Sequence, residues 1–210
     1  MDTANDFRIR LAERGLNDAE RLIHNVKVQR RKEIARRIKG LQSDLQTVKY
    51  SYLDPDEIVS MIEPMARSAE EIRNELKSAE RDFNFKVVDY WLEYVAHLPE
   101  LMKRGIIERA YEAIRYFGGE IVSRKSIDGL WLCTVDCGFR MEVVTNDERF
   151  KPNDSVVVAY LPPREFGKVI SEGMFVPASL GKKGELGLED IRSIAKALGE
   201  VESVIIELIS

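Results

Sequence analysis

The chain has 210 residues at 24.1 kDa, room for one large domain or two small ones with a real core. It carries 44% apolar and 32% charged residues, with 32 Lys and Arg against 36 Asp and Glu for a net charge of −4. That balance excludes a uniformly basic nucleic-acid binder, and no run of ~18 apolar residues supplies a membrane span. The start, MDTANDFRIRLAERG, lacks the apolar stretch of a secretory signal, and two cysteines cannot build a disulfide framework, so a cytoplasmic protein is expected.

Residues 1–117 read as helix throughout. Asn17 with Glu20 resembles a capping box. From there Ile23, Val26, Ile34, Ile38, Leu41, Leu45, Val48 and Tyr52 keep three-four spacing. Asp54, Pro55 and Glu57 give a sharper start. Ile58, Ile62, Met65, Ala69, Ile72, Leu76, Ala79 and Phe83 then form a heptad-like seam. A long antiparallel hairpin about Asp54-Pro55 follows, with its seam serving as core, coiled-coil stalk or dimer contact. Phe85 to His97 is apolar nearly all round and reads as a buried helix. Leu101 to Phe117 is expected to continue as helix until Gly118-Gly119 ends it.

Beyond Gly118 the pattern turns to short β-rich runs: Glu120–Ser123, Leu130–Val135, Phe139–Thr145, Ser155–Leu161 and Met174–Ala178. Asp128-Gly129 and Asp136-Cys137-Gly138 supply turns. A helix at Leu188–Leu198 and a strand at Ser203–Ile209 are expected last. The fold class is therefore α+β. A helical domain spans 1–117, and a small barrel or sandwich spans 118–210 with a terminal helix and strand.

Charge is distributed unevenly. Residues 21–39 hold eight basic side chains and one acidic, whereas 54–82 hold four basic and nine acidic. Arg30, Arg31, Arg36 and Arg37 in the basic run are candidate phosphate contacts. The alternative is a salt-bridged helix neutralised by 54–82. Tyr90, Trp91 and Tyr94 suit the core better than base stacking. Cys133 and Cys137 lack the ligand set of a zinc site, and no phosphate-binding loop, nucleophile elbow or metalloprotease motif occurs. No enzyme, metal or cofactor is expected.

Residues 130–178 carry a resemblance. Val135-Asp136-Cys137-Gly138, the valine strand Val156-Val157-Val158-Ala159, and Ser171-Glu172-Gly173-Met174 resemble the tRNA-binding OB-fold domain. Free-standing tRNA-binding proteins, C-terminal modules of methionyl-tRNA synthetases, an insert of the bacterial phenylalanyl-tRNA synthetase β subunit and export-related chaperones share that domain. Glu185-Leu186-Gly187-Leu188 is similar to the phenylalanyl branch. The resemblance covers roughly 118–190 and implies an OB-fold barrel that recognises tRNA shape and phosphate.

It also implies that Arg164 and Lys168 contact phosphate while Ser171, Glu172 and Met174 shape the neighbouring loop. Arg140, Arg149 and Lys151 are further cations nearby in sequence. The family's Asn-Leu-Lys-Pro-Arg-Lys is here Tyr160-Leu161-Pro162-Pro163-Arg164-Glu165, so two lysines are lost. Each lost cation weakens phosphate binding and its salt dependence. The expected function is non-catalytic binding of tRNA or another structured RNA. The alternative is an interaction module that keeps the barrel and has lost strong RNA binding. Its partner would be a second copy in a homodimer, an aminoacyl-tRNA synthetase or a translation factor.

Overall fold

The computed structural model describes residues 2–210. The chain forms two compact units: one running to Ile107 and including Glu207–Ser210, the other Glu108–Ile206.

The first unit is a helical bundle. Its α1 (Phe7–Leu22) opens at Asp6, whose carboxylate accepts from the Arg8 N–H at 2.8 Å. Asn17, expected to start a helix, therefore lies well inside α1. The helix ends in a single 3-10 turn at Ile23–Asn25, Val26 is extended, and α2 (Arg31–Lys49) begins afresh behind Arg30 in the left-handed region, φ 55°. The stripe expected to run unbroken from Ile23 is thus interrupted. Ile23 and Val26 are buried all the same, because a turn can send apolar side chains inward at the same spacing.

After Asp54, α3 (Pro55–Leu76) starts as expected, the Glu57 carboxylate accepting from the Asp54 N–H at 3.3 Å. It is followed by α4 (Phe83–Ala96) and the short α5 (Leu98–Met102). The ion pair of Arg37 with Glu71 and that of Lys27 with Glu80 show that α2 and α3 run antiparallel. The heptad seam is consumed inside this unit: Ile58, Ile62, Ala69, Ile72 and Leu76 have no exposed surface. Of the roles expected for the seam, core is the one observed, since these side chains fill the bundle of a single chain. Tyr90, Trp91 and Tyr94 are buried as well, Trp91 edge-on to both tyrosines.

A buried ion pair stands at the base of α1. The Arg8 guanidinium is fully buried, donating to both Asp6 carboxylate oxygens at 2.9 and 2.7 Å and to the Leu101 carbonyl at 2.7 Å. Its neighbours satisfy the charge that burial would otherwise penalise.

The helix expected over Leu101–Phe117 does not form. The chain turns at Gly105, makes a 3-10 turn at Ala110–Ala113 and enters β1 (Tyr116–Ile127), so Gly118 and Gly119 pair with Val157 and Val156 instead of ending a helix. The remaining strands are β2 (Leu130–Asp136), β3 (Arg140–Thr145), β4 (Ser155–Phe166), β5 (Val169–Val176) and β6 (Gly184–Glu185). Among the described residues they form one antiparallel six-stranded sheet, ordered β3-β2-β1-β4-β5, with β6 beside β1. Ile121, Cys133, Val135, Met141, Val143, Val158 and Phe175 make its core.

Two helices close the chain, α6 (Leu188–Ser193) and α7 (Gly199–Ile209). The strand expected at Ser203–Ile209 is therefore α7. Its β-branched run imitates a strand, but the fully buried residues are Val201 and Ile205, four apart, which is the helical period. No helix of the described residues is long and apolar enough to cross a membrane.

Candidate nucleic-acid interface

The ends of the strand path, β3 and β5, are joined by side chains. The Ser171 hydroxyl accepts from the Val144 N–H at 3.0 Å and donates to the Gly173 carbonyl at 2.9 Å. The Glu172 carboxylate accepts from the Glu142 N–H, also at 3.0 Å. On the outer face, Ser123 donates to Thr134 and Thr134 to Glu142, each at 2.9 Å, so polar contacts cross β1, β2 and β3 and reach β5. Gly173 has no positive φ. Its need is for space: a β-carbon there would lie 2.6 Å from the Ala159 carbonyl oxygen. Three residues of Ser-Glu-Gly-Met are thus occupied in holding β5 against β3 and β4.

Beside this seam lies a groove of about 430 Å³, bounded by Leu130, Val144, Phe150, Phe166 and Met174, with Arg149, Asp147 and Glu200 as its charged groups. A smaller hollow of about 130 Å³ shares Val144, Phe166 and Met174 with it and adds Arg164, Ser171 and Val204. The strand expected to end at Leu161 runs further: β4 extends to Phe166 and Arg164 pairs with Ser171, so the motif loop of 160–168 is mostly strand. Lys168 is exposed at the β4–β5 turn, where Gly167 takes φ 63°. This turn meets the β1–β2 turn, since a β-carbon on Gly167 would sit 3.7 Å from the Asp128 carboxylate.

The sequence-predicted residues separate by role. Arg164 and Lys168 are exposed, and Arg164 and Met174 line the smaller hollow. Ser171 is buried and Glu172 half-buried, both spent on the seam. Arg149 reaches the groove but is held by Asp147 at 2.6 Å. Hydrogen bonds from that guanidinium lower the Asp147 pKa, and the same pairing raises that of Arg149. Arg140 and Lys151 are exposed away from the groove lining.

In the helical unit Arg37 donates to Glu71 at 2.9 Å and also to Glu75, as the salt-bridged alternative requires. Arg30 lies 4.0 Å from Glu33. Arg31 and Arg36 are exposed and make no ion pair among the described residues.

Two groups escaped sequence reasoning. Phe166, 37% exposed, offers a ring at the groove mouth. Arg124 stacks 3.7 Å over Trp131, and its Nε and Nη2 are buried without a partner among the described residues. A bulge between Ile121 and Ser123 turns Arg124 to the same face as buried Cys133. Strict alternation from Ile121 would put it on the other side, and no local signal marks the bulge.

Comparison with known families matches residues 1–105 to one described as an alpha helical domain. The chain belongs to that family. The match takes in α1 to α5 and ends before the sheet, so the tRNA-binding resemblance of 118–190 rests on its own residues. No curated protein matches the chain.

Proposed function

We propose that the protein binds structured RNA, tRNA foremost, without catalysis, through a sheet unit built as an OB-type barrel. The observation that carries the reading is the strand path β3-β2-β1-β4-β5 with its ends bridged by Ser171 and Glu172. In OB folds, the β2–β3 face and the β1–β2 and β4–β5 loops take the nucleic acid. Here those turns adjoin, and Arg164, Lys168 and Phe166 stand around the second of them. Phe166 supplies a stacking surface, and the two cations supply phosphate contacts. With so few cations, affinity is modest and its salt slope shallow, about one to two contacts' worth.

The test is binding of bulk tRNA at 20 and 200 mM salt by the full chain and by Arg164→Ala/Lys168→Ala and Phe166→Ala variants. The reading expects salt-sensitive binding that weakens in both. Unchanged binding in both variants would remove the sheet unit as the site.

A second reading, a protein-binding module docking a synthetase or translation factor, is favoured by one feature. The groove mixes apolar side chains with polar ones, and its one cation, Arg149, is neutralised by Asp147. Failure of the tRNA test at low salt would turn the search to that groove.

A further inference from the structure

We infer that one exposed face of α2, carrying Lys32, Arg36 and Lys39, is a second docking surface for an RNA phosphate backbone. The inference rests on the RNA-binding reading above but uses different residues. Spacings of four and three put these side chains on one flank of the helix. All three are exposed. Among the described residues Lys32 and Arg36 make no hydrogen bond or ion pair, and Lys39 has only Glu20 at 3.4 Å. Ser43, the next position on that flank, is exposed and neutral.

The acids that balance the basic run lie elsewhere. Glu71 and Glu75 are taken by Arg37 on the flank facing α3, and Glu80 by Lys27. The run that looks self-neutralising in sequence therefore separates in space. Its α3-facing cations are paired, whereas the Lys32–Arg36–Lys39 flank keeps a net positive charge, with Lys32 and Arg36 unpaired and Lys39 beside Glu20.

Helix stability does not account for the arrangement. Lys32 and Arg36 are like charges at i,i+4, and Arg36 and Lys39 at i,i+3, spacings that destabilise a helix. Lys32 also lies in the first turn, where the helix dipole favours acids, and Arg30 gives that end no side-chain cap. Local physics thus opposes the ladder, and an external polyanion relieves the repulsion. Seven residues at ~1.5 Å each spread it over roughly 10 Å.

The experiment measures binding of the full chain to bulk tRNA and to an unstructured single-stranded RNA across 20–200 mM salt. Three variants accompany the wild type: Lys32→Gln/Arg36→Gln/Lys39→Gln, Arg164→Gln/Lys168→Gln, and Arg21→Gln/Arg67→Gln/Arg81→Gln as a control of equal charge change to the first. The ladder variant is expected to bind about tenfold or more weakly at low salt. Its slope of log K against log salt falls by roughly 2–3, for three phosphate contacts, while its Tm is unchanged or higher. The control keeps its slope. An unchanged slope in the ladder variant, an equal fall in the control, or no wild-type binding at 20 mM salt overturns the inference. Loss in the ladder variant with no change in the Arg164/Lys168 variant sustains it while removing the sheet site, and the reverse pattern does the opposite.

Discussion

The Ser171 hydroxyl accepts the Val144 N–H at 3.0 Å and so ties the two ends of the strand path together. Ser171 is 4% exposed, so Ser171→Ala leaves Val144 N–H without its acceptor in a closed setting. A lost partner of this kind costs about 1–3 kcal/mol. Urea unfolding should show that loss. An unaltered midpoint would mean that water replaces the hydroxyl.

Gly15 and Trp91 make a comparable contact in the helical unit. A β-carbon on Gly15 would lie 2.2 Å from the indole ring of Trp91, which is 1% exposed and has no room to retreat. Gly15→Ala is expected to lower stability by about 1–3 kcal/mol from overpacking, despite the better helix propensity of alanine. Near-UV circular dichroism should register the displaced tryptophan. A stabilised variant would contradict the packing described.

Acid should weaken the sheet unit through Glu112, which is 2% exposed. Burial pushes its pKa up, but the Arg192 guanidinium at 2.6 Å and the N–H groups of Glu108 and Arg109 outweigh burial and leave it lowered. A carboxyl lowered in the folded state stabilises above its unfolded value, ~4.3, and that stability is lost as pH falls through the folded value. Glu112→Gln should therefore unfold more easily than wild type at pH 7, with the difference closing towards pH 3. A difference independent of pH would assign the effect to packing alone.

Asp147 restrains the one groove cation that it holds. Asp147→Asn removes the charge that pairs Arg149, so RNA affinity at low salt should rise several-fold and the salt slope steepen by about one contact. Fluorescence anisotropy on labelled tRNA measures both, and weaker binding would show that Asp147 itself serves the ligand.

Much of the architecture was legible from spacing and caps. Asp54, Pro55 and Glu57 announce α3 because capping is local chemistry, and Ile58 to Leu76 announce its buried face because periodicity reports burial directly. The errors arose where burial and backbone conformation part company. Ile23 and Val26 are buried without being helical, and the Val204-Ile205-Ile206 run is β-branched yet lies in α7. Of the candidate site, Arg164 is marked by its place in the motif and Lys168 by its nearness to it in sequence. Phe166 and Arg124 depend on the length of β4 and on a bulge, which are consequences of pairing with distant strands.

The bridge from β5 to β3 has a bearing on solubility. A strand at the edge of a sheet offers unpaired N–H groups to any passing chain. Ser171 and Glu172 occupy the N–H groups of Val144 and Glu142, so β3 presents fewer free donors to a neighbour. Glu172 adds a negative charge along that border. Loss of either side chain should therefore appear first as self-association that grows with protein concentration, visible in light scattering while the monomer is still folded.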